Sequence, residues 1–108
     1  MIQLPSQLAA YVAAANEQDA SRVANCFTRD GVVHDEGTIR RGPEQIAAWA
    51  RETATRYQFV IAPLGMTGTA EQCQLTAEVS GNFPGSPVTL RFHFTLRPEG
   101  IAALEIGA

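Results

Sequence analysis

Apolar residues in the first half of the chain recur with the period of a helix. Between Pro5 and Glu17, Leu8, Tyr11, Val12 and Ala15 fall at i, i+3, i+4 and i+7 in an Ala-rich stretch, which predicts an amphipathic helix. Asp19 suits the cap of a second, shorter helix with Val23, Cys26 and Phe27 on its apolar face, ended by Arg29-Asp30-Gly31. The β-branched pair Val32-Val33 predicts a short strand running into a loop at His34-Asp35-Glu36-Gly37, so these polar side chains sit at a strand end. Gly42-Pro43-Glu44 opens a third helix, because proline suits the first helical position and Glu44 the positive end of the helix dipole. Ile46, Trp49, Ala50, Thr53 and Tyr57 mark one face of it.

Beyond Tyr57 the period changes from 3.6 to 2. Phe59 to Met66 is almost wholly apolar, and Cys73, Leu75, Ala77 and Val79 alternate with Gln74, Thr76, Glu78 and Ser80. Residues 81–87 are dense in turn formers, after which Val88, Leu90, Phe92, Phe94 and Leu96 alternate with polar residues, completing a hairpin. Arg97-Pro98-Glu99-Gly100 turns into a last strand, Ile101 to Ile106. Helices first and consecutive hairpins afterwards imply an α+β domain with a mostly antiparallel sheet, one face covered by helices. The third helix is the natural cover, with Trp49 set against the aromatic face of the Val88 strand.

A length of 108 residues, with 45% hydrophobic and 18% charged, predicts a single domain over 1–108 with a real core. The net charge of −3 supplies no field for phosphate backbones, so neither nucleic acid nor an anionic membrane is expected as a partner. No apolar run approaches the roughly 20 residues of a membrane span. The N-terminus carries no positive charge ahead of its apolar stretch, so no signal peptide is expected. Cys26 and Cys73 lack paired spacing, which fits a reduced, cytoplasmic setting with neither disulfide nor zinc.

The element order, Tyr11 in the first helix, the stretch NEQDASRVANCFTRDGVVHDEG and the stretch IRRGPEQIAAWARE together resemble the nuclear transport factor 2-like superfamily. The resemblance is closest to its SnoaL-like branch of polyketide cyclases and ketosteroid isomerases, and it covers essentially the whole chain. It implies a cystatin-like cone: a curved sheet wrapped around the long third helix, two further N-terminal helices, an apolar pocket at the open end and dimers formed through the outer sheet face. In the isomerases a carboxylate at the end of the first strand moves a proton beside a ketone. The resemblance places Asp35 at that base and Tyr11 at the tyrosine that donates to the developing enolate. It places Phe92 where the isomerases carry a second, protonated acid.

Read from the residues themselves, an Asp35 beside an apolar pocket is desolvated and its pKa rises towards that of a usable base; an Asx-type turn before Gly37 is the competing role. Successive strand residues face opposite ways, so a slip of one residue exchanges Asp35 for His34 or Glu36, and His34 is the reserve base. Tyr11 lies on an apolar helix face, where its hydroxyl needs either a protein partner or a ligand. Val32, Trp49, Phe59 and Phe92 are candidate walls of a substrate pocket as well as core residues. His93 belongs to the polar phase of its strand and Arg40-Arg41 to a solvated loop. No metal-ligand spacing, phosphate loop or nucleophile motif is present, so no metal and no cofactor are expected. Two readings remain: a cofactor-independent isomerase or cyclase abstracting a proton next to a carbonyl, with Asp35, Tyr11 and His34 as catalytic candidates, or a non-catalytic protein that binds an apolar small molecule in its pocket or serves only as a dimeric interaction module. A homodimer is expected, because the sheet face carrying Arg91, His93 and Thr95 is left uncovered by the helices.

Overall fold

The computed structural model describes residues 3–108. Helix α1 (Ser6–Asn16) buries Leu8, Tyr11, Val12 and Ala15, the residues that share its predicted face. Asp19 caps α2 (Ala20–Asn25) by accepting the Arg22 backbone N–H at 3.1 Å. In α3 (Gly42–Tyr57), Pro43 stands in the first turn and Ile46, Trp49 and Ala50 are buried. Six strands follow the order β2-β1-β6-β5-β4-β3 across one open sheet: β1 (Phe27–Asp35), β2 (Thr38–Arg41), β3 (Val60–Gly68), β4 (Gln72–Ser80), β5 (Val88–Arg97) and β6 (Gly100–Gly107). Only β1 and β6 run parallel. The result is the expected α+β architecture, an open and mostly antiparallel sheet with, among the described residues, three helices, of which α3 lies against β1 and β2.

Two sequence expectations need correction. Phe27 is not part of α2: the helix ends at Asn25, half-buried Cys26 caps it, and Phe27 opens β1 opposite Ile101. Its ring is edge-on to Tyr11, with centroids 6.2 Å apart, so tertiary packing outweighs the local helical spacing. Arg29-Asp30-Gly31 accordingly lies inside β1, where the ladder to β6 is irregular between Phe27 and Val32. The second correction concerns Arg40 and Arg41, which lie in β2 rather than a loop. Glu36 and Gly37, at φ 54° and 74°, make a two-residue hairpin connection between the paired residues Asp35 and Thr38. Positive φ at both central positions matches the twist of a tight hairpin, and this is what turns β1 back on itself.

Alternation divides the sheet into an inner and an outer face. Cys73, Leu75, Ala77 and Val79 of β4 and Phe92, Phe94 and Leu96 of β5 are buried, whereas Thr89, Arg91 and His93 are exposed on the other side. The inner face meets α3 and α1, and Tyr11 packs edge-on against Phe94 at 5.5 Å.

The edge strand β3 is held from within the fold. Asn16, the last residue of α1, accepts the Ile61 backbone N–H at 2.7 Å and donates to the Ile61 carbonyl at 3.0 Å. Its amide thus copies one rung of a β-ladder and ties α1 to the sheet. Asn16→Ala should lower unfolding stability by about 1–3 kcal/mol, the sum of two modest hydrogen bonds, and Asn16→Asp, which keeps only an acceptor, should lie between. Urea unfolding midpoints measure this, and a wild-type midpoint for Asn16→Ala would show that the clasp contributes nothing.

Candidate functional site

A cavity of about 640 Å³ opens between α3 and one end of the inner sheet face. Strand β5 shows how it arises. Val88, Leu90 and Phe92, at the start of the strand, wall the cavity, whereas Phe94 further along fills the core beneath Tyr11. The volume falls within the range of pockets that enclose small molecules. Most of the lining is apolar or aromatic, so the few polar groups that reach it define its chemistry.

Asp35 enters from the end of β1. Its Oδ2 accepts a hydrogen bond from the indole Nε1 of Trp49 at 3.0 Å. Burial pushes the Asp35 carboxyl above the usual carboxylate range and the neighbouring Glu36 charge adds to the rise; the Trp49 bond, the Glu36 backbone N–H and Arg40 pull the other way. Loss of hydration is the largest of these effects, as expected for a carboxylate against an apolar wall.

Tyr11 approaches from α1, its ring fixed by Phe27 and Phe94. Its hydroxyl bonds to no side chain or backbone group among the described residues, yet no fully buried polar side-chain atom there lacks a partner. Tyr11 is also one of the residues that line the cavity. Burial, and secondarily the Asp35 charge, raise its pKa far above the ordinary value, which keeps it a protonated hydrogen-bond donor. Thr53 also reaches the cavity, but its hydroxyl is spent on the α3 carbonyls of Trp49 and Ala50, at 3.0 and 3.3 Å.

The mouth is built by side chains from three elements. The Tyr57 hydroxyl, at the end of α3, lies 3.0 Å from both carboxylate oxygens of Glu36 and donates to that group. Phe83, in the β4–β5 loop, packs edge-on against Tyr57 at 5.7 Å, and the Arg56 guanidinium lies 5.1 Å from the centre of the Tyr57 ring. Gly81 lets this loop approach: a Cβ there would stand 2.6 Å from the Tyr57 carbonyl oxygen.

Among the site residues expected from the sequence, Tyr11, Asp35, Trp49, Phe59 and Phe92 come together around the cavity. Val32 and His34 do not. Strand alternation turns Val33 and Asp35 inward, and it turns Val32 and His34 to the outer face. There His34 stands opposite Glu105 of β6, which in turn pairs with His93 of β5. Glu36 would face outward in a continuing strand, but its positive φ carries it back to the mouth. Arg40 is engaged with Glu52 at 2.9 Å, and neither it nor Arg41 lines the cavity.

The sequence reading missed the hydrogen bond between Trp49 and Asp35 and the ring of residues at the mouth. The indole bond was foreshadowed by the need of a buried indole N–H for an acceptor. Thr53 and Tyr57 lie on the α3 face already marked by spacing, whereas Phe83 sits in an irregular loop with no periodic signal. Among the described residues, no group of three or more His, Cys, Asp or Glu side chains is arranged to hold a metal ion, and no helix is long and apolar enough to cross a membrane.

Residues 8–101 match the SnoaL-like domain. No curated protein matches the chain. Among solved structures, a candidate polyketide cyclase from Sinorhizobium meliloti is 36% identical with a TM-score of 0.91, over 96% of this chain and 95% of that one. A protein of ketosteroid isomerase-like fold from Catenulispora acidiphila, solved in complex with trimethylamine, superposes with a TM-score of 0.87 at 19% identity, over 98% and 87% of the two chains. A candidate SnoaL-like polyketide cyclase from Shewanella denitrificans reaches 0.75 at 16% identity, over 93% and 85%. The last two speak for the fold alone. With the family match running from α1 into β6, this chain belongs to the SnoaL-like domain family.

Proposed function

We propose that the protein is a cofactor-independent proton-transfer enzyme, an isomerase or cyclase, acting beside a carbonyl of a small, largely apolar substrate. One observation carries this reading: a desolvated carboxylate, Asp35, and an otherwise unpartnered donor, Tyr11, serve the same apolar cavity. In the proposed step Asp35 removes the proton on the carbon next to the carbonyl while Tyr11 donates to the carbonyl oxygen as enolate charge develops. Isomerisation follows when Asp35 returns the proton to a different carbon. Cyclisation follows when the enolate carbon instead attacks a second carbonyl of the same substrate, whose oxygen then takes up a proton.

A second reading is favoured by Phe92. It occupies the position at which the resemblance to the isomerases places a second acid, so the oxygen site retains one donor, and a cavity of this kind also suits binding without chemistry. The trimethylamine complex of the Catenulispora protein is consistent with small-molecule binding on this fold. Deuterium exchange into a panel of enolisable ketones, followed by NMR, separates the two. A positioned base contributes about 10²- to 10⁴-fold, so Asp35→Asn should lose most of the exchange and Tyr11→Phe a smaller part. Equal exchange by wild type and Asp35→Asn would remove Asp35 as the base.

The same carboxylate should weaken the fold. A carboxyl whose pKa is raised on folding binds protons more tightly in the native than in the unfolded state, so stability falls as pH rises through the interval between the two pKa values. Asp35→Asn should therefore raise Tm at pH 7, and its advantage should shrink as the pH is lowered through the carboxylate range. A Tm difference independent of pH would contradict a desolvated Asp35.

A homodimer formed through the outer sheet face completes the proposal, supported by the row of Arg91, His93 and Thr95 on strands that the helices leave uncovered. Light scattering should report twice the monomer mass at micromolar concentration. A monomer mass throughout that range would reject the dimer.

A further inference from the structure

We infer that Trp49 is a positioning residue for Asp35: its indole N–H holds Oδ2, so that the other carboxylate oxygen, Oδ1, is the one presented to the substrate. This rests on the proton-transfer reading and adds to it the group that aims the base. The geometry is specific. Trp49 is 7% exposed, lines the cavity, and places its one polar atom 3.0 Å from Oδ2. No other side chain among the described residues hydrogen-bonds to the Asp35 carboxylate. A carboxylate at a strand end can turn about its terminal torsion, and beside the Glu36 backbone N–H of the turn the bond to a rigid, packed ring restricts that freedom.

The ring is itself well anchored. Trp49 lies at the middle of the long helix α3, which Arg40 of β2 contacts through Glu52 at 2.9 Å. The carboxylate is thus delivered by strand β1 and its hairpin and aimed from a third element, the helix. The indole also acts on the protonation of Asp35, because a donor to the charged form favours that form. The other ionisable groups around Asp35 are Tyr11 from α1, Glu36 in the turn, Arg40 from β2, and Arg56 and Tyr57 from α3. Glu36 and Arg40 act on the carboxylate in opposite senses, whereas Trp49 contributes direction as well as energy.

Trp49 is the only tryptophan in the chain, which makes two measurements specific to it. Biosynthetic replacement of tryptophan by its benzothiophene analogue keeps the shape of the ring and deletes only the N–H. In that protein the acid limb of the exchange rate should move to higher pH, and kcat/KM on its plateau should fall roughly 10- to 100-fold, the cost of a loosened catalytic group. Trp49→Phe should shift the limb in the same direction. Independently of activity, Trp49 fluorescence in wild type should titrate through the carboxylate range, lose that transition in Asp35→Asn and retain it in Glu36→Gln. An analogue protein with the wild-type acid limb and plateau overturns the inference, as does fluorescence that titrates identically in Asp35→Asn. Exchange absent from wild type would instead reject the proton-transfer reading, and the fluorescence titration would still decide whether Trp49 and Asp35 are coupled.

Discussion

A carboxylate held at the edge of an apolar cavity is the constraint on which the rest of this structure turns. Water would solvate Asp35 better than the protein does, and burial accordingly pushes its pKa up. What keeps it there is geometric. Strand β1 is fixed on one side by its parallel pairing to β6 and on the other by the tight hairpin to β2, so the alternation that buries Val33 also turns Asp35 inward. Partial compensation comes from the indole of Trp49, whose bond to Asp35 satisfies the one polar atom of a buried aromatic residue as well.

The two parts of the inner sheet face do different work. Towards the closed end, Phe94, Leu75 and Leu104 pack with Leu8 and Tyr11 into a continuous core. Towards the open end the same alternation continues, and there the inward side chains of Val88, Leu90 and Phe92 line the cavity. Tyr11 stands at the boundary, packed in the core against Phe27 and Phe94 and also lining the cavity. One helix in the first part of the chain thus brings a tyrosine to the same cavity that receives a carboxylate from a strand 24 positions later in sequence.

Much of this was legible in the sequence, and the rest was hidden for identifiable reasons. Helices α1 and α3 and strands β4 and β5 announce themselves because each buries one face, which stamps its period on the residues. Strand β2 buries almost nothing, so Thr38-Ile39-Arg40-Arg41 carries no period, and its pairing rests on backbone hydrogen bonds that any residues can make. Phe27 follows the helical spacing of Val23 yet belongs to β1, because a distant strand and Tyr11 compete for it. At the site, Asp35 and Tyr11 stood out through their setting and through family resemblance. His34 against Asp35 was a question of strand phase, and phase is settled by pairing across the sheet rather than by local sequence. The roles of Glu36 and Phe83 at the mouth depend on a positive φ and an irregular loop, neither of which hydrophobic spacing encodes.

The most direct test of the account is a crystal structure with a planar bicyclic phenol bound as a mimic of the enol. The phenol oxygen should lie within hydrogen-bonding distance of the Tyr11 hydroxyl, about 2.5–3.0 Å, with the adjacent ring carbon facing Oδ1 of Asp35. A phenol bound the other way round, with its oxygen at the mouth beside Arg56 and its hydrocarbon end against Tyr11, would contradict the claim that these two residues define a carbonyl site.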